Sequence, residues 1–501
     1  MNTFKPSKKL DINSLPRPII PNHEDWIKMH DRSWELAYKH VRYHDGLNKF
    51  WYMDEAHTEG QAWQWDTCFM AIYSHYAPEL FPGMESLDNF YNWQREDGYI
   101  SMTHYLESGE EVYGERVNPQ LFAWVEERWY ELTGDSSRIE RVLPILIRYF
   151  DWCKTNRSRG KVVTPHSGGA NEGLDGEGAG LLWFTCCGAG GCDNSPRSMH
   201  LGWNGGELAW VDATAFQALS AKCIAKLARV IKNNEIATRF DKEFEHLKSL
   251  SNRYLWCKKS QFYHDIFMDG NYFSTKTAVS FYTLLAEIPD QSQAEGLLRH
   301  IHNPSEFWRP HPIPTLSADD PNYEEKGAYW LGGVWAPTNY MIMKGLEAYG
   351  YNSTAHKIAV KHLNAIAATH KAMEPHTIWE AYAPEYIDQP ATIKNRVDLC
   401  KPDFCGWSAL GGINMLYENI LGIRKNEAIG TITWCPLLKE EHGIENYPFL
   451  NERISLFASE LIKGTRQLEI NSKKAFDLIV ICEDGTKNIF KINPGKQIIL
   501  S

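Results

Sequence analysis

Apolar residues recur at three- and four-residue spacing in about a dozen stretches of this chain. They lie near residues 25–42, 66–77, 84–95, 119–133, 137–155, 208–232, 236–256, 276–288, 291–302, 336–350, 353–370 and 406–420. That spacing gathers apolar side chains on one helical face, or all round the helix where the stretch is wholly apolar. Most of the stretches come in consecutive pairs, which predicts helical hairpins. Hairpins in this number predict a mainly α fold, an (α/α)6 toroid. A solenoid would need a repeat of fixed period, and none is visible.

After about Asn426 the apolar period shortens to two. Gly430–Trp434, Ile454–Phe457, Gln467–Ile470, Phe476–Ile481 and Asn488–Ile492 read as strands, with a turn signal at Glu483-Asp484-Gly485-Thr486. The expected organisation is a helical barrel over residues 1–425 and a small β domain over 426–501. The glycine-rich stretch from Ser167 to Gly191 is too long for a tight turn and is expected to be a loop over a pocket.

Composition narrows the partners. A formal net charge of -11 argues against nucleic acid or an anionic membrane, which need basic patches. The 19 Trp and 24 Tyr are many, and several stand beside Gly and Pro. Flat rings against sugar CH faces explain some of them, and a plain core explains others. Met1 to Pro16 holds no signal-like apolar run, and no stretch approaches membrane-spanning length. The eleven cysteines have no metal-ligand spacing: Cys186-Cys187 and Cys192 come nearest to a cluster, without a matching His or Cys pair. Free, mostly buried thiols in a cytoplasmic protein are therefore expected, with no metal and no organic cofactor.

Two short acidic segments carry the chemistry. They are Gly191-Cys192-Asp193-Asn194-Ser195-Pro196-Arg197 and Trp379-Glu380-Ala381-Tyr382. Each sets one carboxylate among turn-forming or aromatic residues. Glycosidic hydrolysis needs two such groups: one protonated to donate to the leaving oxygen, the other ionised to activate water or attack carbon. Taken alone, Asp193 reads equally as a cap or Asx-turn, and Glu380 as a helix-start carboxylate.

Five segments in order resemble glycoside hydrolase family 63 and its mannosylglycerate-hydrolase-like branch, with more distant similarity to family 37 trehalases. They are Trp63-Gln64-Trp65-Asp66, Gly191–Arg197, Tyr329-Trp330 through Trp335 to Tyr340, Trp379–Tyr382, and Phe404-Cys405-Gly406-Trp407-Ser408-Ala409. The resemblance implies an inverting mechanism with Asp193 as general acid and Glu380 as general base, and carboxyls about 6.5–9.5 Å apart. It also implies that Trp65 and Asp66 hold the reacting sugar and that Trp330, Trp335 and Trp407 are pocket aromatics. Tyr329 is a candidate hydrogen-bond donor to the sugar. Arg197 pairs with a carboxylate or binds an anionic substrate group. Asn118, in Asn118-Pro119-Gln120, stands where the family has a sugar-contacting amide. Leu331 and Gly333 stand where many members carry Arg and Pro, so the substrate is not borrowed from the family.

The expectation is an exo-acting inverting α-glycosidase that releases a terminal α-linked glucose or a close relative from an oligosaccharide or small glycoside. A polysaccharide lyase on the same toroid would need a Tyr or His base, and His166 is the nearest candidate. A retaining glycosidase would bring the two carboxyls closer. A non-catalytic sugar-binding protein would keep the aromatics with no reason to keep both carboxylates.

Overall fold

The computed structural model describes residues 9–44, 50–55, 58, 60–114, 116–158, 180–199, 208–267, 270–393, 398–404 and 406–500. His166 and the glycine-rich stretch up to residue 179 lie outside the described residues. The fold is mainly α. Helices α1 (Glu24–Lys39), α2 (Gln64–Ser74), α3 (Gly83–Asn92), α4 (Phe122–Thr133) and α5 (Ile139–Asn156) precede the short α6 (Pro196–Met199). There follow α7 (Val211–Val230), α8 (Asn234–Leu250), α9 (Tyr282–Leu285), α10 (Gln291–Ile301), α11 (Ala336–Ala348), α12 (Asn352–Ala372) and a π-helical segment, Gly411–Ile420.

Burial divides these helices into two sets. Every residue of α2 and of Gly411–Ile420 is buried, as is most of α7 and α11. Helices apolar all round must be surrounded by protein. They pack in chain order, α2 on α4, α4 on α7, α7 on α9, α9 on α11, and α11 on the π-helical segment. Less completely buried helices cover them: α3 on α2, α5 and α8 on α7, α12 on α11, and α1 on the π-helical segment. Small residues set the spacing. Ala213, Ala215, Ala218, Ala221, Ala225 and Ala228 of α7 are all buried. A Cβ on Gly345 of α11 would come within 2.7 Å of Leu284 Cβ, so only glycine permits that approach to α9.

One carboxylate ties several of the buried helices together. Glu418 accepts hydrogen bonds from Tyr76 after α2 (2.9 Å), Arg128 of α4 (3.1 Å), Lys344 of α11 (2.6 Å), Tyr340 of α11 (3.1 Å) and Asn414 (3.0 Å). Burial opposes its charge, but Lys344 and Arg128 win and hold the carboxyl down at about 2.

The strand-rich C-terminal part forms two sheets. One has the order Ile423–Asn426, Thr431–Trp434, Phe476–Ile481, Lys487–Ile492, with its middle pair parallel. The other is antiparallel and runs Arg17–Ile19, His442–Phe449, Glu452–Ala458, Gln467–Ser472, Gly495–Leu500. Arg17–Ile19 pairs with Gly443–Glu445, so an N-terminal segment is stitched into this sheet. The expected hairpin turn is present, with Gly485 at φ +85° and Cys482 N–H bonded to Thr486 O.

Two expected elements take a different form. The stretch at 276–288 becomes a 3-10 turn, Ala278–Phe281, followed by the four-residue α9; the left-handed Glu287 (φ 57°) stops it. The last helix starts at Gly411, after turns at Ser408 and Leu410, and is π-helical. The ten described cysteines are unbridged and most are buried. No helix among the described residues is long and apolar enough to cross a membrane.

Candidate active site

Asp193 stands on a tightly wound loop. Cys192 N–H bonds Cys187 O at 3.0 Å, and Ser195 N–H bonds Cys192 O at 3.0 Å. Gly191 has φ +81°, and its Cα side lies on the Trp65 indole, where a Cβ would sit 3.4 Å from the ring. Asn118 supports the loop from below, donating through Nδ2 to Ala189 O at 3.0 Å. The Asp193 side chain is exposed to solvent, yet enough protein crowds it to push its carboxyl up to about 6, by desolvation first and then by the Glu380 charge. A group both accessible and crowded lies in a concavity. The surface exposure describes the entrance to that concavity and the raised proton affinity describes its walls.

Glu380 is 2% exposed and held on all sides. Its N–H bonds Lys401 O at 2.9 Å, and Lys401 N–H returns a bond to Oε2 at 3.1 Å. The Tyr329 hydroxyl donates to Oε1 at 2.8 Å. The Glu380 carbonyl accepts from Trp407 Nε1 (3.3 Å) and Ser408 Oγ (3.2 Å). Burial raises the Glu380 carboxyl, while the Lys401 N–H, the Tyr329 hydroxyl and the Lys401 charge pull back. Burial and the neighbouring Glu380 and Asp193 keep the Tyr329 phenol protonated, and so a donor.

Asp66 is the third carboxylate of this group. It is 5% exposed, and its carboxyl lies well above the usual range because of burial, with Glu380 and Asp193 adding to the shift. Asp66 does not cap α2, which begins after Trp63 with no side-chain cap. Trp65, 3% exposed, meets Phe69 and Phe216 edge-on, and its indole N–H finds no partner. Asn118 Oδ1 is likewise buried without one.

The aromatic wall is built differently from the expectation. Trp330 and Trp335 stack at 4.3 Å and 10°, and Trp407 meets Trp335 at 5.5 Å and 64°. Trp335 is fully buried in that sandwich and braces the wall. Trp330 and Trp407 keep 2% and 7% exposure. Tyr329 takes φ +70° and Ala328 φ +35°, left-handed conformations unusual for side-chain-bearing residues. The turn behind them has no room at Gly333, where a Cβ would lie 2.2 Å from Tyr329 O. Leu331 is buried with Leu316 and Ala328.

Arg197 also needs correction as a substrate-binding residue. Four N–H bonds reach Asp212 and Asp265 at 2.6–2.8 Å, and the guanidinium lies over Trp210 at 4.4 Å. At 1% exposure it is committed to a buried ion triad, the structural pairing. Sequence reasoning gave no role to Asn194 or Lys401, which act through contacts to or from the backbone that no residue pattern announces.

The site residues stand at or before the N-terminal ends of α2, α4, α7, α11 and the π-helical segment. Glu418, Lys344 and Tyr76 stand toward or beyond their other ends. Two protonatable carboxyls, one accessible and raised in part by the charge of the other, which donors hold, are equipped to move protons to and from a bound ligand.

The model of the mannosylglycerate hydrolase MGH1-like glycoside hydrolase domain matches residues 59–387. An uncharacterized protein of Borreliella burgdorferi is 27% identical over 447 residues, 87% of this chain and 88% of that one. A mannosylglycerate hydrolase of Thermus thermophilus is 30% identical over 105 residues, 21% of this chain and 25% of that one. The crystal structure of a family 63 mannosylglycerate hydrolase from Thermus thermophilus, in complex with glucose, superposes with a TM-score of 0.59 at 18% identity, over 77% of this chain and 99% of that one. The chain belongs to the mannosylglycerate hydrolase MGH1-like family, within glycoside hydrolase family 63, and is a glycoside hydrolase.

Proposed function

We propose that this glycoside hydrolase removes a terminal α-linked glucose, or a close stereochemical relative, with inversion. Asp193 is the general acid and Glu380 the general base. The observation that carries the reading is the Asp193 carboxyl, accessible yet raised to about 6 beside the firmly held Glu380. At mildly acidic pH, Asp193 keeps a proton for the glycosidic oxygen. Glu380, ionised, takes a proton from water as that water attacks the anomeric carbon from the opposite face. The C–O bond to the leaving group breaks, the proton of Asp193 goes to that oxygen, and the first product of an α-glycoside is the β-anomer.

Trp65, Asp66, Asn118, Tyr329, Trp330 and Trp407 then hold the sugar. The unpartnered indole N–H of Trp65 and the Asn118 carbonyl oxygen support such a role, since buried polar groups are ordinarily satisfied. The names of relatives, mannosylglycerate hydrolase and a probable mannosyl-oligosaccharide glucosidase of Schizosaccharomyces pombe, favour small α-mannosides and α-glucosides as the first compounds to try. The scaffold we infer is an (α/α)6 toroid, with the buried helices as its inner ring and the two C-terminal sheets as a small β domain packed on it. The test is a screen of α-glucosides and α-mannosides, with the product anomer followed by NMR. Release of the α-anomer first would replace inversion with retention, and formation of an unsaturated product would make the enzyme a lyase.

A further inference from the structure

Two buried histidines stand behind the Glu380 segment, and the proposed chemistry uses neither. His311 Nε2 lies 2.7 Å from Nδ1 of His362, on α12, and both residues are fully buried. Asn339 of α11 completes the group. Its amide nitrogen stands 3.2 Å from the same His362 nitrogen and donates to Pro312 O at 2.9 Å, while its oxygen accepts from Ile313 N–H at 3.1 Å. Burial holds the His362 imidazole down at about 3 and His311 well below its ordinary value. Both rings are therefore neutral, and a single proton lies between them. Two phenyl rings would fill this space without the cost of burying polar nitrogens. The imidazoles add direction, because a buried hydrogen-bonded group holds one geometry where apolar contact tolerates several.

The pair touches the chain around Glu380. The Tyr382 ring packs against both imidazoles, its centroid 5.9 Å from His311 and 6.1 Å from His362. The Tyr382 hydroxyl accepts from Trp379 N–H at 3.1 Å, so this side chain spans Glu380 from one neighbour to the other. His311 N–H donates to Pro384 O at 2.9 Å. On its other side His362 abuts the start of the π-helical segment, where a Cβ on Gly411 would stand 3.5 Å from Nε2. Gly411 N–H bonds Ser408 O at 3.1 Å, and Ser408 Oγ holds the Glu380 carbonyl. His362 thus meets both the Glu380 segment and the one that carries Trp407 and Ser408.

We infer that His311 and His362 are positioning residues for Glu380, aiming its carboxylate through Tyr382 and Ser408. The inference rests on the reading of Glu380 as the general base. Tyr329 and Lys401 fix the carboxyl oxygens, and the histidine pair fixes the backbone that bears them.

The test uses three variants of the full chain, with hydrolysis of p-nitrophenyl α-glucoside and α-mannoside and thermal unfolding as readouts. His362→Asn keeps an amide where Nδ1 stands. His362→Gln is equally polar but carries its amide farther out, where Nε2 stands. His362→Phe keeps a ring and removes the bond. His362→Asn is expected to retain kcat within about threefold. The Gln and Phe variants should lose about tenfold or more in kcat with KM within about twofold, since a shift of about 1 Å in a catalytic group costs that much. Added to Glu380→Gln, His362→Phe should cost nothing further in kcat, because the group it acts through is already removed.

Variants that unfold early yet keep the kcat of the unaltered enzyme would make the pair structural and overturn the inference. So would His362→Gln matching His362→Asn in kcat, or an additive loss in the double variant. If His362→Phe does not fold, the comparison of Asn with Gln decides alone. If Glu380→Gln by itself is as active as the unaltered enzyme, the base assignment falls and the inference falls with it. A crippled Glu380→Gln beside an unaffected His362→Gln defeats the inference only.

Discussion

The side-chain amide of Asn194 grips the backbone on both sides of Tyr329, accepting from Trp330 N–H at 2.8 Å and donating to Ala328 O at 2.9 Å. Tyr329 in turn donates to Glu380. The residue next to Asp193 thereby fixes the residue that fixes Glu380, so the two carboxylates share one framework. The same grip helps to hold Ala328 and Tyr329 in their left-handed conformations, which by themselves are unfavourable.

Replacing Asn194 by Ala leaves two backbone groups unpaired, at about 1 kcal/mol or more each. The expected result is a loss of about 2 kcal/mol in stability and a drop in kcat of at least tenfold, as Tyr329 drifts from Glu380. Denaturant unfolding and steady-state kinetics measure both. A variant that loses stability while keeping kcat would detach Asn194 from the chemistry.

Asp193→Asn and Glu380→Gln are each expected to lower kcat by about 10²–10⁴-fold or more with little change in fold. A glycosyl fluoride, whose leaving group needs no protonation, should partly rescue Asp193→Asn and not Glu380→Gln. Rescue in the opposite order would exchange the two roles.

The pH dependence has a definite sign. As the acid, Asp193 must be protonated, so kcat/KM should fall as pH rises through about 6, and Asp193→Asn should abolish that limb. Glu380, as the base, must be ionised, so activity also falls on the acid side, at a pH above the ordinary 4.5 because burial raises the group. Stability follows the same groups. A carboxyl raised in the folded state weakens the fold above its folded value, so Asp193→Asn should stabilise the protein at pH 8 and lose that advantage toward pH 4. Thermal unfolding at the two pH values is the measurement.

Arg197→Lys should act on the fold. A lysine cannot reproduce the paired bonds to Asp212 and Asp265, and breaking a buried ion pair outright costs about 3–5 kcal/mol. Urea unfolding should show a substantial part of that loss, with KM unchanged for the folded fraction. A selective rise in KM for anionic substrates would return Arg197 to substrate binding.

Glu418→Gln should also destabilise at neutral pH, because it removes the buried carboxylate that Lys344 and Arg128 share and leaves them only Glu347 and Glu131. A depressed carboxyl stabilises above its unfolded value. This contribution is therefore complete above about 4.5 and disappears as pH falls toward 2. Acid titration of unaltered and variant proteins should converge below that range, and curves that stay parallel to pH 2 would contradict the assignment.

The helical part was legible because its period is strong: each expected stretch contains an observed helix, and type changes in the 276–288 and 406–420 regions and at the end of 236–256, where Ser251–Leu255 is π-helical. The strands were less so. His442–Phe449 carries Pro448, left-handed Asn446 and a register shift between Ile444 and Tyr447, which break the alternation that identifies a strand. Gly495–Leu500 is an exposed edge whose pattern is half polar. At the site, residue type singled out Asp66, Asp193 and Glu380, and the fold brings these three within reach of one another's charge. Residue type could not separate Trp335, sealed in a stack, from Trp407, because both are Trp in the same kind of context. Nor could it tell that Arg197 would meet Asp212 and Asp265, which the fold brings from 15 and 68 residues away.

Glu418 gathers α4, α11 and the turn after α2 at the ends of the helices remote from Asp193 and Glu380. Its keystone is thus separate from its working face. Positions other than Asp193, Asn194 and Tyr329 in the turns before α4, α7 and α11 can change without loosening that junction. A lineage built on such a frame can acquire a new preference for the group beyond the scissile bond by turnover of those segments alone. The helices need not be rebuilt.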